Sequence, residues 1–186
     1  GSDRTRSVLT ESLRAEGIRP YYEHAESNIP PDCGLVVYTV AISPDNPEYL
    51  AAKERGIPCI SRADYLGYVM TAYRKRVGVS GMHGKSSCTS MCAQVLLNAG
   101  ADPTVLSGAE LSAMDGAYHV GSNENIFVFE ACEYMDSFLD FNPTAAVVLN
   151  VELDHVDYFN SIDQMMESYA KFVKKTGERG TVIYNA

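Results

Sequence analysis

Apolar positions in this chain fall into two kinds of run. Short unbroken blocks occur at Leu35-Val36-Val37-Tyr38, at Ile126-Phe127-Val128-Phe129 and over 145–149. Continuous blocks of that length read as strands buried on both faces, the habit of a parallel sheet. Between the blocks lie stretches with helical spacing. Residues 7–16 carry Val8, Leu9 and Leu13 and end at Gly17; 62–73 carry Leu66, Val69 and Met70; 86–99 carry Met91, Val95 and Leu96 and stop at Gly100. Asn46 before Pro47 is an N-cap with proline at the first helical position, opening a helix over 47–55 that Gly56 ends. Ser161 with Gln164 reads as a capping box heading a helix over 162–175. Shorter strands are expected at 18–22, 57–60, 76–80, 104–107 and 181–184, with a polar loop over 108–125 that holds at most a short strand at 118–120.

Strands alternating with helices of this length give right-handed βαβ units and a parallel sheet, so the fold class is α/β. The basic break Arg74-Lys75-Arg76 marks a boundary between a domain at 1–74 and a second at 75–186. Ligands of open parallel sheets bind outside the carboxyl ends of the strands. Residues 1–3, 41–43 and 81–86 follow such ends, which makes Ser2, Asp3, Ala41, Ile42, Ser43 and the 81–86 segment binding candidates.

The stretch Gly81-Met82-His83-Gly84-Lys85-Ser86-Ser87 sits between an expected strand and an expected helix. Glycines let a backbone approach phosphates, and a helix N-terminus offers free N–H groups and partial positive charge. Lys85 can reach terminal phosphates and the Ser86 hydroxyl can ligate magnesium. The full Walker pattern asks for glycine where Val79 stands, so the match is to the shorter G-x-x-G-K-[ST] form. A nucleotide with its Mg2+ is the expected ligand of such a loop. His83 either meets phosphate or substrate or merely packs.

Composition narrows the partners. A formal net charge of -9 on 186 residues argues against a broad nucleic-acid surface or an anionic membrane. No apolar run approaches a membrane span, and the start carries no signal-peptide core. The 5 cysteines are odd in number and scattered, which suits reduced, mostly buried thiols of a cytoplasmic protein rather than a disulfide framework.

Three strand ends converge on one sheet edge: the glycine loop, Glu130 after 126–129, and the Asp154-His155 stretch after 145–149. Ser86 and Glu130 suit the oxygen coordination of magnesium, and His155 serves a second metal or holds a water. Lys85 and His155 are thus the catalytic candidates, with Ser86, Glu130 and His155 for metal. Glu133 and Asp136 read as a solvated face, with support of the metal-ligand side chains as the alternative, Lys171 as an exposed helical lysine, and Cys132 as a small packing residue.

These blocks together resemble the Mur ligases, most nearly the branch that joins L-alanine to UDP-N-acetylmuramate. Gly1-Ser2-Asp3 is similar to the family's Ser-Gly-Ser-Asp, and Leu35 to Glu48 to its V-V-x-S-x-A-I-x-x-x-N-P-E stretch. The Gly56-Ile57-Pro58 and Arg62-Ala63 segments continue the likeness. The glycine loop resembles G-T-x-G-K-[ST] with Met82 for threonine. Glu130-Ala131-Cys132-Glu133 stands for Glu-Ala-Asp-Glu, and Asn150 with Asp154-His155-Val156-Asp157 for the Asn…Asp-His-x-Asp block. The resemblance implies a cytoplasmic enzyme of peptidoglycan synthesis that phosphorylates the muramyl carboxylate with ATP and lets an amine attack the acyl phosphate. It implies a Rossmann-like UDP-sugar domain at 1–74 and a P-loop-type ATPase domain at 75–186, both incomplete. A first strand and glycine loop are expected before Gly1, and adenine contacts and an amino-acid domain after Ala186. It also implies Lys85 on phosphate, Ser86 and Glu130 on magnesium, and His155 on the second metal. In several relatives a helix lysine near Lys171 is carbamylated and bridges metals. Two rivals stay open: a sister ligase adding a preformed peptide, and a P-loop nucleotide-binding module without ligase chemistry.

Overall fold

The computed structural model describes residues 1–111 and 116–185, the side chains of 109–111 excepted. The chain divides into two compact units, Gly1–Tyr65 and Leu66–Ala186.

In the first unit α1 (Val8–Ala15) opens with a full capping box: Ser7 Oγ accepts the Thr10 N–H and Thr10 Oγ1 accepts the Ser7 N–H. Strand β1 (Val36–Tyr38) runs parallel to β2 (Cys59–Ser61), with Val36 opposite Cys59 and Tyr38 opposite Ser61. Between them α2 (Pro47–Glu54) starts as expected: Asn46 Oδ1 accepts the N–H groups of Glu48 and Tyr49, and Pro47 occupies the first turn. Helix α3 (Arg62–Met70) follows β2 and spans the division between the units.

Three expectations for this unit are corrected. Residues 18–22 form no strand; Tyr21 makes a single parallel bridge to Ser2. The β1 block is not buried, since Leu35 and Val37 are 41% and 42% exposed. Two paired strands leave this block partly open to solvent. Helix α1 turns Thr10 inward, where Tyr22 donates to its hydroxyl, and leaves Val8 and Leu9 exposed.

The second unit is built on β3 (Lys75–Ser80), α4 (Lys85–Asn98), β4 (Pro103–Leu111), β5 (Gly116–His119), β6 (Asn123–Glu130), β7 (Ala145–Val148), α5 (Ile162–Lys174) and β8 (Thr181–Tyr184). Among the described residues these strands form one sheet in the order β5-β4-β6-β3-β7-β8. Every neighbouring pair is parallel except β4 with β5 at the edge. The expected loop over 108–125 is therefore mostly strand, and its residues 112–115 lie outside the described ones.

Side-chain alternation sends β6 residues to two different cores. On one face Val128 packs with Ala93 of α4 and Val105 of β4, flanked by Val77, Cys92, Leu96 and Ile126. On the other, Phe129 meets Phe141 edge-on, and Phe138 stacks on Phe172 of α5 with centroids 4.7 Å apart. Gly78 of β3 makes room for these rings; a Cβ there would lie 2.8 Å from Phe129 Cζ. The inner face of α4 is also corrected. Thr89 and Ala93 are buried, whereas Met91 and Val95 are 68% and 67% exposed. Small residues let this helix lie close against the sheet. The cysteines are free but less buried than expected: Cys33, Cys59, Cys88 and Cys92 are half-buried and Cys132 is exposed, so Cys132 is no packing residue. No helix among the described residues is long and apolar enough to cross a membrane.

Candidate active site

The glycine loop leaves the end of β3, the strand that lies between β6 and β7. Its register puts Val79 beside Glu130 and Ser80 beside Val148, so the segments following all three strands emerge together. Gly81 has φ +137°, and a Cβ there would meet Leu149 Cβ at 3.0 Å and Asn150 N at 3.1 Å. Both the backbone angle and the close approach require glycine. Gly84, at φ +83°, caps α4 without any side-chain hydrogen bond to the first turn. Among the described residues the opening N–H groups of α4 thus have no side-chain acceptor, and the partial positive charge of the helix end is left for an anion.

Asn150 shapes the loop from the far side. Its Oδ1 accepts the His83 N–H at 2.9 Å, its Nδ2 donates to the His83 carbonyl at 3.0 Å, and its own carbonyl accepts the Met82 N–H at 3.3 Å. Met82 is buried at 7% exposure, while His83 and Ser87 are exposed and Ser86 is half-buried. Lys85 is the first residue of α4. Its Nζ donates to the Gly81 carbonyl at 2.7 Å and stands 3.3 Å from both carboxylate oxygens of Glu133.

Glu133 corrects the expectation of a solvated face, because its side chain is 0% exposed. It joins Lys85 to His155, whose Nε2 lies 3.4 Å from Oε1. His155 follows β7 with φ +50° and packs against the Tyr134 ring at a centroid distance of 4.8 Å. Tyr134 donates its hydroxyl to Asp157 at 2.7 Å, and that carboxylate pushes its ionisation up. Asp136 is not solvated either. It accepts from Tyr158 at 2.8 Å and from Ser168 of α5, and Tyr158 is likewise pushed up, chiefly by that hydrogen bond.

Glu130 ends β6, but its carboxylate faces β4: Oε1 accepts from Ser107 Oγ at 2.7 Å and from the Gly108 N–H at 2.8 Å. The site therefore brings Lys85 and His155 together through Glu133, with Glu130 on a neighbouring strand end in a different network. Among the described residues no cluster of three or more His, Cys, Asp or Glu side chains is close enough to hold a metal ion. Ser86 and Glu130 still present hard oxygen donors on adjoining termini, the donor chemistry magnesium takes. Lys171 is exposed on α5.

In the first unit, Ser2, Asp3, Ala41 and Ile42 line one cleft of about 240 Å³ with His24 and Asn46. Ser43 is exposed, its carbonyl accepting the Asn46 N–H at the head of α2. Glu48 lies against this region. Burial works to raise its pKa, but hydrogen bonds from Asn28, Ser2, Ala25 and His24 outweigh burial and hold it below the usual carboxylate range.

Residues 1–74 match the model of the Mur ligase family, catalytic domain, and residues 79–186 that of the Mur ligase middle domain. The chain belongs to the Mur ligase family. A UDP-N-acetylmuramate--L-alanine ligase of Lachnospira eligens is 46% identical over 185 residues, covering 100% of this chain and 40% of that protein. UDP-N-acetylmuramate-alanine ligase MurC from Thermotoga maritima superposes with a TM-score of 0.85 at 27% identity, over 99% of this chain and 42% of the other. The UDP-N-acetylmuramate:L-alanyl-gamma-D-glutamyl-meso-diaminopimelate ligase from Neisseria meningitides gives 0.88 at 25% identity, over 100% and 63%. This Mur ligase chain thus spans about 40% of the length of the curated relatives it matches.

Asn150 and Glu133 are the residues that sequence reasoning undervalued. Their signal was present only as positions in family-like blocks, since each acts on a loop distant in the chain.

Proposed function

We propose that this chain carries the nucleotide-sugar and ATP-binding parts of an ATP-dependent ligase that joins L-alanine to the carboxylate of UDP-N-acetylmuramate, by way of an acyl phosphate, in peptidoglycan synthesis. The observation that carries the reading is the 46% identity over the whole chain to a ligase of that name. The loop geometry supports it: a glycine-lined helix N-terminus with Lys85 folded over it is a phosphate cradle.

In this reading residues 1–74 hold the UDP-sugar, with Ser2, Asp3, Ala41, Ile42 and Ser43 as contacts, and His83 facing substrate from the loop. Residues 75–186 hold ATP. The backbone of Gly81, Met82, His83, Gly84 and Ser87 surrounds the phosphates, and the Lys85 ammonium neutralises charge as it develops on the transferring group. Ser86 and Glu130 would hold magnesium, and His155 a second ion. When bound, ATP supplies the phosphoryl group that activates the carboxylate, and magnesium spreads its charge. The chemistry is that of a cytoplasmic enzyme, and a net charge of -9 suits neither nucleic acid nor an anionic membrane as partner.

A second reading is favoured by the 0.88 TM-score to the Neisseria ligase: the acceptor is a preformed peptide instead of L-alanine. Phosphate release by the whole protein with ATP and UDP-N-acetylmuramate separates the readings. Release that depends on L-alanine supports the first; release that depends on L-alanyl-γ-D-glutamyl-meso-diaminopimelate replaces it with the second. A protein that binds nucleotide but releases no phosphate with either acceptor is a binding module, and both ligase readings fail.

A further inference from the structure

Glu133 is the charged residue that is wholly buried among the described ones. It lies just past β6, yet neither oxygen faces solvent. Lys85 from the β3–α4 loop approaches it at 3.3 Å and His155 from beyond β7 at 3.4 Å. Tyr169 of α5, 4% exposed, helps close the surroundings, and burial together with the neighbouring Glu133 carboxylate pushes its ionisation up. Withdrawing a carboxylate from water costs several kcal/mol unless a counter-charge is supplied at good geometry. Here the counter-charge is the ammonium of the phosphate loop.

The same contact restrains the lysine. The Lys85 ammonium meets the Gly81 carbonyl at 2.7 Å and the carboxylate on another side, so its position over the loop is set from two directions. A lone surface lysine on a flexible four-carbon stem would have no such fixed place.

We propose that Glu133 is a positioning residue for phosphoryl transfer: its buried carboxylate fixes the Lys85 ammonium over the phosphate loop and the His155 ring beside it, without touching substrate. This deepens the ligase reading and rests on it. Replacing the carboxylate by an amide of equal size removes the restraining charge and also removes an anion from the neighbourhood of the bound phosphates. Turnover then falls while ground-state affinity for ATP holds or improves. A role confined to folding would instead weaken ATP binding and lower the melting temperature together.

The test uses the whole protein. In Glu133→Gln, kcat is expected to fall between about tenfold and a hundredfold, the scale for a displaced catalytic group, with the KM for ATP no higher than wild type. In a Lys85→Ala background the same change should add little, because the effect runs through the lysine. Glu133→Asp keeps the charge and should recover part of the lost kcat; if Glu133→Gln does not fold, a lowered kcat at unchanged KM in Glu133→Asp carries the test. A wild-type kcat in Glu133→Gln, or in Glu133→Asp where Glu133→Gln does not fold, or a KM that rises in step with the loss of kcat, overturns the proposal. A second readout needs no turnover. Acetic anhydride labelling of Lys85 and diethylpyrocarbonate labelling of His155, followed by mass spectrometry, should each quicken at least about threefold in Glu133→Gln, as the loss of one charged contact allows. Unchanged labelling overturns the proposal too. Should the wild-type protein ligate neither acceptor, the ligase reading fails on that result, while the labelling rates still decide whether Glu133 restrains the two side chains.

Discussion

Glu48 and Glu133 are two carboxylates withdrawn from water, one in each compact unit, and they are held in opposite ways. Glu48 takes neutral donors: Ser2 Oγ and Asn28 Nδ2, each at 2.7 Å, and the Ala25 N–H at 3.4 Å, with His24 alongside at 3.5 Å. Glu133 takes an ammonium. A carboxylate satisfied by neutral groups fastens chain segments together and asks nothing of a ligand. A carboxylate balanced by the lysine of a phosphate loop shares its partner with whatever anion arrives there. The first arrangement is a staple, and the second is a balance that nucleotide binding would redistribute on the proposed reading.

The sharpest way to break this contrast is Lys85→Ala. In the whole protein it should lower turnover by roughly two to three orders of magnitude, the scale for one preorganised donor. It should also cost about 3 kcal/mol of stability by urea unfolding, because Glu133 is left buried without its counter-charge. Read from sequence, an exposed loop lysine would have little effect on stability; its side chain is in fact 17% exposed and paired, which reverses that expectation. Wild-type stability in this variant would mean that Glu133 needs no cation.

Next in size is Gly81→Ala. A Cβ at φ +137° and 3.0 Å from Leu149 Cβ forces the loop to move, at about 1–3 kcal/mol, and ADP affinity measured by calorimetry should drop with it. Unaltered affinity would show that the loop backbone does not shape the nucleotide site. Asn150→Ala removes two hydrogen bonds to the His83 backbone on a half-buried residue, so a loss of about 1 kcal/mol is expected, with a several-fold weaker nucleotide complex.

Smallest near neutral pH is Glu48→Gln, since its partners are uncharged hydroxyl and amide groups apart from His24. The variant is distinguished by the slope of its acid limb. The folded pKa of Glu48 lies below the usual value, so the stability it contributes is complete above the unfolded-state value of about 4.3 and is lost as pH falls through the lower folded one. Stability of the wild type should therefore decline more steeply than that of the variant as pH falls below about 4. Parallel acid limbs would place Glu48 among ordinary solvated carboxylates.

What could be read from the sequence was local in character. Gly81, Gly84 and Lys85, set between a strand and a helix, mark a glycine loop at a helix start, and the unbroken blocks of β6 and β7 announce parallel strands. What the sequence did not show was the burial of Glu133 and its partner: Lys85 lies 48 residues away, and left-handed Met135 and Asp136 break any periodic trace after Glu133. Periodicity also shows which residues can be covered, not what covers them. Hence Val8 and Leu9 of α1 and Leu35 and Val37 at β1 proved exposed, and α4 packs on the sheet through Thr89, Ala93 and Leu96 while Met91 and Val95 face outward.

The order of the sheet has a consequence in time. The contacts that give the glycine loop its shape join residues far apart in the chain: 67 between His83 and Asn150, 48 between Lys85 and Glu133. Strand β3 and helix α4 can form early from their own propensities, but the cradle between them waits for β6 and β7 to dock on either side. Parallel pairings of such separation are slow to assemble, because loop closure is complete before most contacts reward it. A chain caught part-way would carry every glycine of the loop and no phosphate site. On the proposed reading a nucleotide would bind only the finished arrangement, and by mass action it would draw partly assembled chains toward the native sheet.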